Sequence, residues 1–151
     1  MNAEIERKFL VPRVPPDVGT GKAIRQGYLT STREIDATVR VRLVTDSHAF
    51  LTIKSGSGMS RIEVELPLTI DQFETLWPLT AGRRVIKTRY EIVLPAKRRA
   101  DFDVYEGHLS GLMTVEVEFD SEAEARQFVT PSWFGQEVTG DPRFQNATLA
   151  G

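Results

Sequence analysis

The sequence predicts a mainly β fold of the α+β class, in which eight antiparallel strands close into a barrel and a few short helices lie outside it. The first observation is that nearly all of eight strand-like segments alternate charged and apolar residues, which is the two-residue period of a β-strand. The second is that only two short helices are predicted, one from apolar residues at helical spacing and one from a capping-box pattern. Eight strands with two small helices are typical of a closed or nearly closed antiparallel barrel.

Length and composition limit the possible functions. A chain of 151 residues predicts one domain, over residues 1–151, with one core. The net charge of -2 argues against a protein that binds nucleic acid polymers or membrane surfaces, because such proteins are usually basic. The sequence shows no cysteine, no secretory signal and no apolar run of the ~18 residues that a membrane span needs. We therefore expect a soluble, cytoplasmic protein, of a class that lacks thiol chemistry.

The first two strands are separated by a long loop. Residues 3–11 alternate glutamates and a lysine with apolar residues, and this pattern stops at Pro12. Residues 12–21 hold three prolines and two glycines, a composition that indicates a surface loop. A second strand is predicted over residues 23–30.

The next three strands are close together in the chain. Residues 38–44 place two arginines on one face and valines and a leucine on the other. Residues 50–54 lead through the turn at 55–58 into residues 61–66, which predicts a hairpin. We expect Pro67 to end the last of these strands.

The two helices are short. Residues 70–77 carry Ile, Phe, Leu and Trp at spacings of three and four, with Asp71 in the first turn. Ser121 is followed three residues later by Glu124, a capping-box pattern that predicts a helix reaching about residue 129.

The remaining strands follow the first helix. They are predicted over residues 82–94, 101–105 and 112–119, again with charged residues at alternate positions. After Pro131 the segment 133–139 is apolar enough that we expect it to pack back on the body of the protein.

The charges on the repeated faces carry the functional prediction. The acidic residues are Glu4, Glu6, Glu63, Glu65, Asp101, Asp103, Glu116 and Glu118. The basic residues are Lys8, Arg40, Arg42, Lys54, Arg61, Lys87 and Arg89. A solvated sheet face is the ordinary interpretation of such alternation. Three details argue against that interpretation here. Nearly every alternate position is ionised, and the acidic and basic residues lie on different strands. Arginine is also favoured, and its planar guanidinium suits phosphate oxygens.

If these charges point inward, the barrel has to be a wet tunnel. Burying so many ions without water would cost several kcal/mol for each unpaired charge. In such a tunnel the carboxylates would bind a metal ion, and the basic side chains would bind a polyanion.

At this point the chain resembles a known family. Glu4-x-Glu6-x-Lys8 looks like the signature of the CYTH domain, the triphosphate tunnel metalloenzymes. Six further segments resemble that family in the same order: Arg25-Gln-Gly-Tyr-Leu29, Arg40-x-Arg42, Leu51-Thr-Ile-Lys-Ser55, Arg61-x-Glu63-x-Glu65, Lys87-Thr-Arg-Tyr90 and Glu116-Val-Glu118. The resemblance covers about the whole chain and is closest to compact bacterial inorganic tripolyphosphatases.

The resemblance implies hydrolysis of inorganic triphosphate with Mg2+ or Mn2+ in an eight-stranded tunnel. It implies a metal site at Glu4, Glu6 and Glu118, with further ligands at Glu63, Glu65, Asp103 and Glu116. It implies phosphate-binding roles for Lys8, Arg40, Arg42, Arg61, Lys87 and Arg89. It also implies that Lys54 and Tyr28 activate the attacking water.

Several alternatives stay open at the level of sequence. Clustered cations would favour a neutral amine at Lys54, as a general base requires, but Lys54 could instead clamp phosphate. Tyr28 could be an ordinary strand aromatic. The resemblance also leaves room for a nucleoside or thiamine triphosphatase, a class IV adenylate cyclase, or a polyphosphate- or nucleotide-binding module without catalysis. The oligomeric state is not predicted.

Overall fold

The computed structural model describes residues 3–32, 37–56 and 58–151, without the side chains of residues 30–32. Eight antiparallel strands form a closed barrel in the order β1-β5-β4-β3-β2-β6-β7-β8, which confirms the predicted fold. The strands are β1 (Ala3–Leu10), β2 (Lys22–Thr32), β3 (Ala37–Val44), β4 (His48–Ser55), β5 (Ser60–Leu68), β6 (Arg84–Leu94), β7 (Arg98–Tyr105) and β8 (Met113–Glu118). The helices are α1 (Ile70–Leu76), α2 (Glu122–Gln127) and α3 (Asn146–Leu149).

Strand β5 runs farther than the sequence predicts. Pro67 lies inside the strand, opposite Phe50 of β4, instead of ending it. On its other side β5 pairs with β1 only through residues 60–62, so its later residues lack a partner on that edge among the described residues. A proline, which has no N–H to donate, is tolerated at such an edge.

Helix α1 covers the outer face of β3 and β4. Its capping box is formed by Thr69 and Gln72, a pair that the sequence analysis missed. The helix buries Phe73 completely, in a cluster with Val41 and Leu43 of β3. A short 3-10 helix over residues 77–80 extends this layer.

Helix α2 covers the opposite side, but its capping box is incomplete. The Ser121 hydroxyl accepts a hydrogen bond from the Glu124 backbone N–H, as predicted. The Glu124 carboxylate, however, accepts from the backbone of Asp120 and not from that of Ser121. The helix ends at Gln127, two residues before the predicted end.

The aromatic segment after Pro131 packs on the barrel, as expected. The ring of Phe134 lies 4.9 Å from that of Phe9, and the ring of Trp133 lies 6.4 Å from that of Phe102. Together with α2 these side chains close the apolar layer over β1, β7 and β8. Because the apolar faces are covered from outside, the charged faces line the interior. Within the described ranges no helix is long and apolar enough to cross a membrane.

Candidate active site in the barrel interior

The barrel encloses a cavity of about 110 Å³ lined mostly by charged side chains. Twelve of the fifteen site residues proposed from the sequence line it: Glu4, Glu6, Lys8, Tyr28, Arg40, Arg42, Lys54, Arg61, Glu63, Arg89, Glu116 and Glu118. The reason is the two-residue period of the strands, which turns every second side chain inward. Lys87, Asp103 and Glu65 do not line this cavity.

Three carboxylates lie together on adjoining strands. Glu4 and Glu6 are two positions apart on β1, and Glu118 of β8 pairs with Glu6 across the ladder. One carboxylate oxygen from each residue lies within 4.8 Å of the others. Oxygen ligands at this spacing suit a hard divalent cation such as Mg2+ or Mn2+.

Crowding of these carboxylates perturbs their protonation. Burial and the neighbouring charges of Glu116 and Glu4 hold the pKa of Glu6 well above its ordinary value. Burial and repulsion from Glu4 also raise the pKa of Glu118. Burial would raise the pKa of Glu4 as well, but hydrogen bonds with Glu63 and Glu6 and the ammonium of Lys54 bring it below its ordinary value. Glu6 and Glu118 therefore bind protons more readily than isolated carboxylates, and a divalent cation would compete with those protons.

Glu63 completes this acidic group. Burial and a hydrogen bond shared with Glu4 raise the pKa of Glu63 to about 7. Its carboxylate lies 3.8 Å from the Lys54 ammonium. Glu63 therefore lies next to Glu4 of the three-carboxylate cluster and could supply a further oxygen ligand to a metal ion bound there.

Lys54 is surrounded by carboxylates and not by the cations that the sequence analysis expected. Its Nζ donates a hydrogen bond to Glu4 Oε1 at 3.2 Å and lies 3.0 Å from Oε2. The register explains this environment, because Lys54 pairs with Glu63 on β5 and β5 pairs with β1 at Glu4. Lys54 is thus placed beside the acidic cluster, at its border with the rest of the cavity.

Tyr28 belongs to a hydrogen-bonded chain that the sequence did not reveal. The Arg42 guanidinium, which can only donate, donates from Nε to Gln26 Oε1 at 2.8 Å. Gln26 must then present its amide N–H to Tyr28, and its Nε2 donates to the Tyr28 hydroxyl at 2.8 Å. Among the described residues no acceptor engages the Tyr28 hydroxyl proton, and the side chain lines the cavity.

Three of the cavity's basic residues, Arg40 and Arg42 of β3 and Arg89 of β6, come from strands that do not adjoin β1 or β8 in the barrel. Burial, together with repulsion from Arg40 and Arg89, lowers the pKa of Arg42 to about 9. Arg40 is 4% exposed and reaches the same cavity. Arg61 lines it too and donates from Nε to the Gly56 carbonyl at 3.2 Å. Such crowded cations form a site that a polyanion would stabilise.

Lys87 and Asp103 form a buried layer behind the cavity. Both are completely buried, and Lys87 Nζ donates to Asp103 Oδ2 at 2.7 Å. Arg89 also donates to both oxygens of Asp103, at 2.8 and 2.9 Å. Burial raises the pKa of Asp103, but Arg89 and Lys87 outweigh it and lower the value to about 2. Asp103 therefore holds Arg89 in place, and both of its oxygens are already engaged.

Lys87 is the lysine whose surroundings come closest to the predicted cationic cluster. Burial lowers its pKa to about 7, and Arg89 and Arg42 add to that effect against the attraction of Asp103. Lys87 lies outside the cavity lining and is linked to the cavity-lining Arg89 through their shared partner Asp103.

Glu116 is paired with Lys8 and Arg89, whereas Glu4 and Glu63 are paired with Lys54. The Glu116 carboxylate lies 3.6 Å from Lys8 Nζ and 4.0 Å from Arg89. Burial acts against ionisation, but the charges of Lys8 and Arg89 lower the pKa of Glu116 below its ordinary value. This carboxylate orients the bases in the present arrangement, although it also lies on the cavity surface.

Glu65 lies outside the interior cavity. It is exposed, accepts a hydrogen bond from Thr52 at 3.2 Å, and lines an outer depression of about 460 Å³. This depression is where β1 and β5 stop pairing, and its wall includes Glu4, Glu63 and Glu118 as well. Glu65 thus sits at a gap in the barrel wall beside the acidic cluster.

The C-terminal segment contributes to the cavity in a way that the sequence does not predict. Residues 138–147 provide eight of the residues that line the cavity, among them Thr139 and Asn146. No periodic pattern marks them, because they reach the site through loop contacts between distant parts of the chain. The sequence also contains no indication of the role of Gln26, which links Arg42 to Tyr28.

Comparisons with known proteins agree with this geometry. The model of the family described as CYTH domain matches residues 2–144. The chain is 49% identical to an inorganic triphosphatase of Nitrosomonas europaea, over 97% of this chain and 96% of that protein. It is 34% identical to an inorganic triphosphatase of Acetivibrio thermocellus, over 99% and 94%. The crystal structure of an inorganic triphosphatase that is 47% identical superposes with a TM-score of 0.74, over 99% of this chain and 95% of that one.

Proposed function

The chain belongs to the CYTH domain family, and on that premise we propose that it is a single-domain, metal-dependent hydrolase of inorganic triphosphate. The products are pyrophosphate and phosphate. The observation that carries this function is the division of one enclosed cavity into a carboxylate cluster and a facing group of arginines. A linear triphosphate chelated to a divalent cation matches both halves.

The metal-binding part of the proposal rests on the carboxylate cluster. Glu4, Glu6 and Glu118 offer three oxygens within 4.8 Å of one another and would hold Mg2+ or Mn2+. Glu63 is close enough to Glu4 to add a further ligand, and Glu116 and Glu65 border the same region. When bound, the cation would neutralise charge on the phosphate oxygens.

The phosphate-binding part rests on the bases. Lys8, Arg40, Arg42, Arg61 and Arg89 line the cavity and would grip the phosphate oxygens. Lys87 acts behind them, because its ammonium and Arg89 share Asp103. Phosphoryl transfer needs positioning and charge neutralisation more than covalent help, and this set of residues supplies both.

Lys54 and Tyr28 are proposed to activate the attacking water. The water oxygen attacks a terminal phosphorus, the bond from that phosphorus to the bridging oxygen breaks, and pyrophosphate leaves with the bonding electrons. Lys54, which lies against Glu4 beside the proposed metal site, would accept the proton that the water loses. Tyr28 orients the water, since its hydroxyl proton is not used by Gln26.

A substrate panel tests the proposed function. Purified protein is incubated with tripolyphosphate, ATP or thiamine triphosphate in Mg2+, Mn2+ or excess chelator, and released phosphate is measured. We expect phosphate release that is strongest with tripolyphosphate and absent in chelator. Cyclic AMP formed from ATP would indicate a cyclase instead. If calorimetry shows that tripolyphosphate binds but no phosphate is released with any metal, the protein is a binding module without catalysis.

A further inference from the structure

The C-terminal segment, residues 138–151, lies across one end of the barrel; we refer to it as the C-terminal strap. It starts at β1, where the Val138 N–H donates to the Lys8 carbonyl at 2.8 Å. The Lys8 ammonium then reaches along the strap and donates to the Phe144 carbonyl at 2.7 Å. A cavity-lining lysine is thus bound directly to the strap.

The strap contacts the barrel rim at three further places. Gly140 packs against the hairpin between β4 and β5, where a Cβ added to Gly140 would lie 3.0 Å from Gly58 Cα. The Tyr105 hydroxyl, at the end of β7, donates to Asn146 Oδ1 at 2.7 Å. The Arg84 N–H, at the start of β6, donates to the Ala150 carbonyl at 3.1 Å. The strap therefore spans the opening from β1 to β6.

The other end of the interior is lined differently. The outer depression near Glu65 borders the cavity through Glu4, Glu63 and Glu118, and Asp120 lies on its far wall. Among the described residues that line this depression, none is basic. A long polyphosphate could not extend in this direction without placing its charge against several carboxylates.

From these two ends we propose that the C-terminal strap sets the length of the linear polyphosphate that the cavity accepts. The inference rests on the proposed function and deepens it. The strap blocks extension of the substrate past Lys8 and Asn146, and the carboxylates oppose extension at the other end. In this arrangement a chain of three phosphates would occupy the cavity, and a fourth phosphate or a nucleoside would have to displace the strap.

Asn146 and Tyr105 hold the strap closed, so they are positioning residues for length selection. Tyr105 is 2% exposed and belongs to a cluster with Tyr28, Val85 and Ala150. Its hydroxyl is the group that binds the strap, while its ring fills the cluster. Replacing tyrosine by phenylalanine therefore loosens the strap and keeps the packing.

The first test compares Tyr105→Phe with the wild-type protein and with Tyr90→Phe, whose ring packs on Phe102 outside the barrel. Selectivity is defined as kcat/KM for tetrapolyphosphate divided by kcat/KM for tripolyphosphate. The same ratio of calorimetric affinities (1/Kd) measures the preference without turnover. We expect Tyr105→Phe to raise this ratio by about tenfold and Tyr90→Phe to leave it unchanged. An unchanged ratio in a Tyr105→Phe protein that melts like the wild type would overturn the proposal.

The second test uses a pair of glycines with the same backbone angle. Gly140 has φ +71° and Gly19 has φ +70°, but only Gly140 has atoms within 4 Å of an added Cβ. Gly140→Ala and Gly19→Ala therefore impose similar backbone strain, and only the first pushes the strap from the hairpin. Higher selectivity for tetrapolyphosphate in Gly140→Ala alone supports length control by the strap, and equal behaviour of the two variants refutes it.

The same measurements separate this inference from the proposed function. Wild-type protein that binds tripolyphosphate more tightly than tetrapolyphosphate but releases no phosphate would refute hydrolysis and leave length selection standing. Wild-type protein that hydrolyses both chains equally well would keep hydrolysis and refute length selection.

Discussion

The ammonium of Lys54 lies 3.0 Å from the carboxylate of Glu4, and this ion pair joins β4 to β1 across the barrel interior. Lys54 is 8% exposed and Glu4 is 9% exposed, so the pair is largely shielded from bulk water. The same glutamate belongs to the three-carboxylate cluster. The proposed base and the proposed metal site are therefore adjacent, and a ligand that engages Glu4 also changes the surroundings of Lys54.

Replacing Lys54 separates the role of a base from that of a phosphate clamp. If Lys54 accepts the water proton, Lys54→Ala should lower kcat by ~100-fold or more while KM changes little. Steady-state kinetics with tripolyphosphate measures both constants. A small loss of kcat with a raised KM would show that Lys54 only clamps phosphate. Lys22→Ala, outside the cavity lining, serves as the control.

Neutralising the carboxylate cluster should abolish turnover. Glu6→Gln and Glu118→Gln each keep the shape of the side chain but remove one anionic ligand, so we expect loss of metal binding in calorimetry and at least ~100-fold loss of activity. Glu122→Gln on the exposed face of α2 should behave like the wild type. If Glu6→Gln retains both the metal affinity and the activity, the cluster is not the metal site.

Removing Arg42 should weaken substrate binding. The guanidinium carries one of the cavity charges and also orients Gln26 toward Tyr28. We expect Arg42→Ala to raise KM by about tenfold or more, which corresponds to about 1.4 kcal/mol of lost binding. Gln26→Leu tests the second role, because it cuts the chain to Tyr28 but retains the charge. If that variant lowers kcat and leaves KM unchanged, Tyr28 acts on the water and is not merely a packed aromatic.

Acid should destabilise the protein partly through Asp103. The pKa of Asp103 is about 2 in the folded chain and 3.8 ordinarily, so between these values the unfolded chain binds the proton first. The stabilisation, of about 2 kcal/mol, is complete above roughly pH 4 and is lost as the pH falls through about 2. Denaturant unfolding at several pH values measures this slope.

The matched variants for that slope are Asp103→Asn and Asp71→Asn. Asp103→Asn leaves Lys87 and Arg89 without their shared partner, and we expect a loss of about 3–5 kcal/mol at neutral pH with a shallower acid limb. Asp71 is exposed in the first turn of α1 and should leave the slope nearly unchanged. An acid limb as steep in Asp103→Asn as in the wild type would contradict the assigned shift.

The sequence predicted most of the barrel and of its inward charges. Alternation placed Glu4, Glu6 and Lys8 on one face of a strand, and the structure puts that face inside. This succeeded because the direction of a side chain in a strand is a local property, set by the two-residue period. The prediction that Pro67 ends a strand was wrong, because whether a proline ends a strand depends on the pairing with the neighbouring strand and not on the proline alone.

The distinctions within the site were decided by tertiary structure. The same sequence pattern holds for three carboxylates that have different neighbours in the structure. Asp103 accepts hydrogen bonds from Lys87 and Arg89, and Glu116 is paired with Lys8. Glu118 belongs to the three-carboxylate cluster. The pairing register brought each carboxylate to a different neighbour. Register is a relation between two strands, and where they are distant in the chain, as β1 and β8 are, no hairpin turn between them fixes it.

By itself, then, the sequence determined the number of strands, the sign of the charge at each inward position and the family of the chain. Only the folded chain decided which charges face the cavity, that Lys54 is bound by carboxylates, and that the C-terminal strap covers one end. The physical reason is that periodicity sets the face of a strand locally, whereas partners and closure depend on contacts between residues as far apart as Lys8 and Phe144.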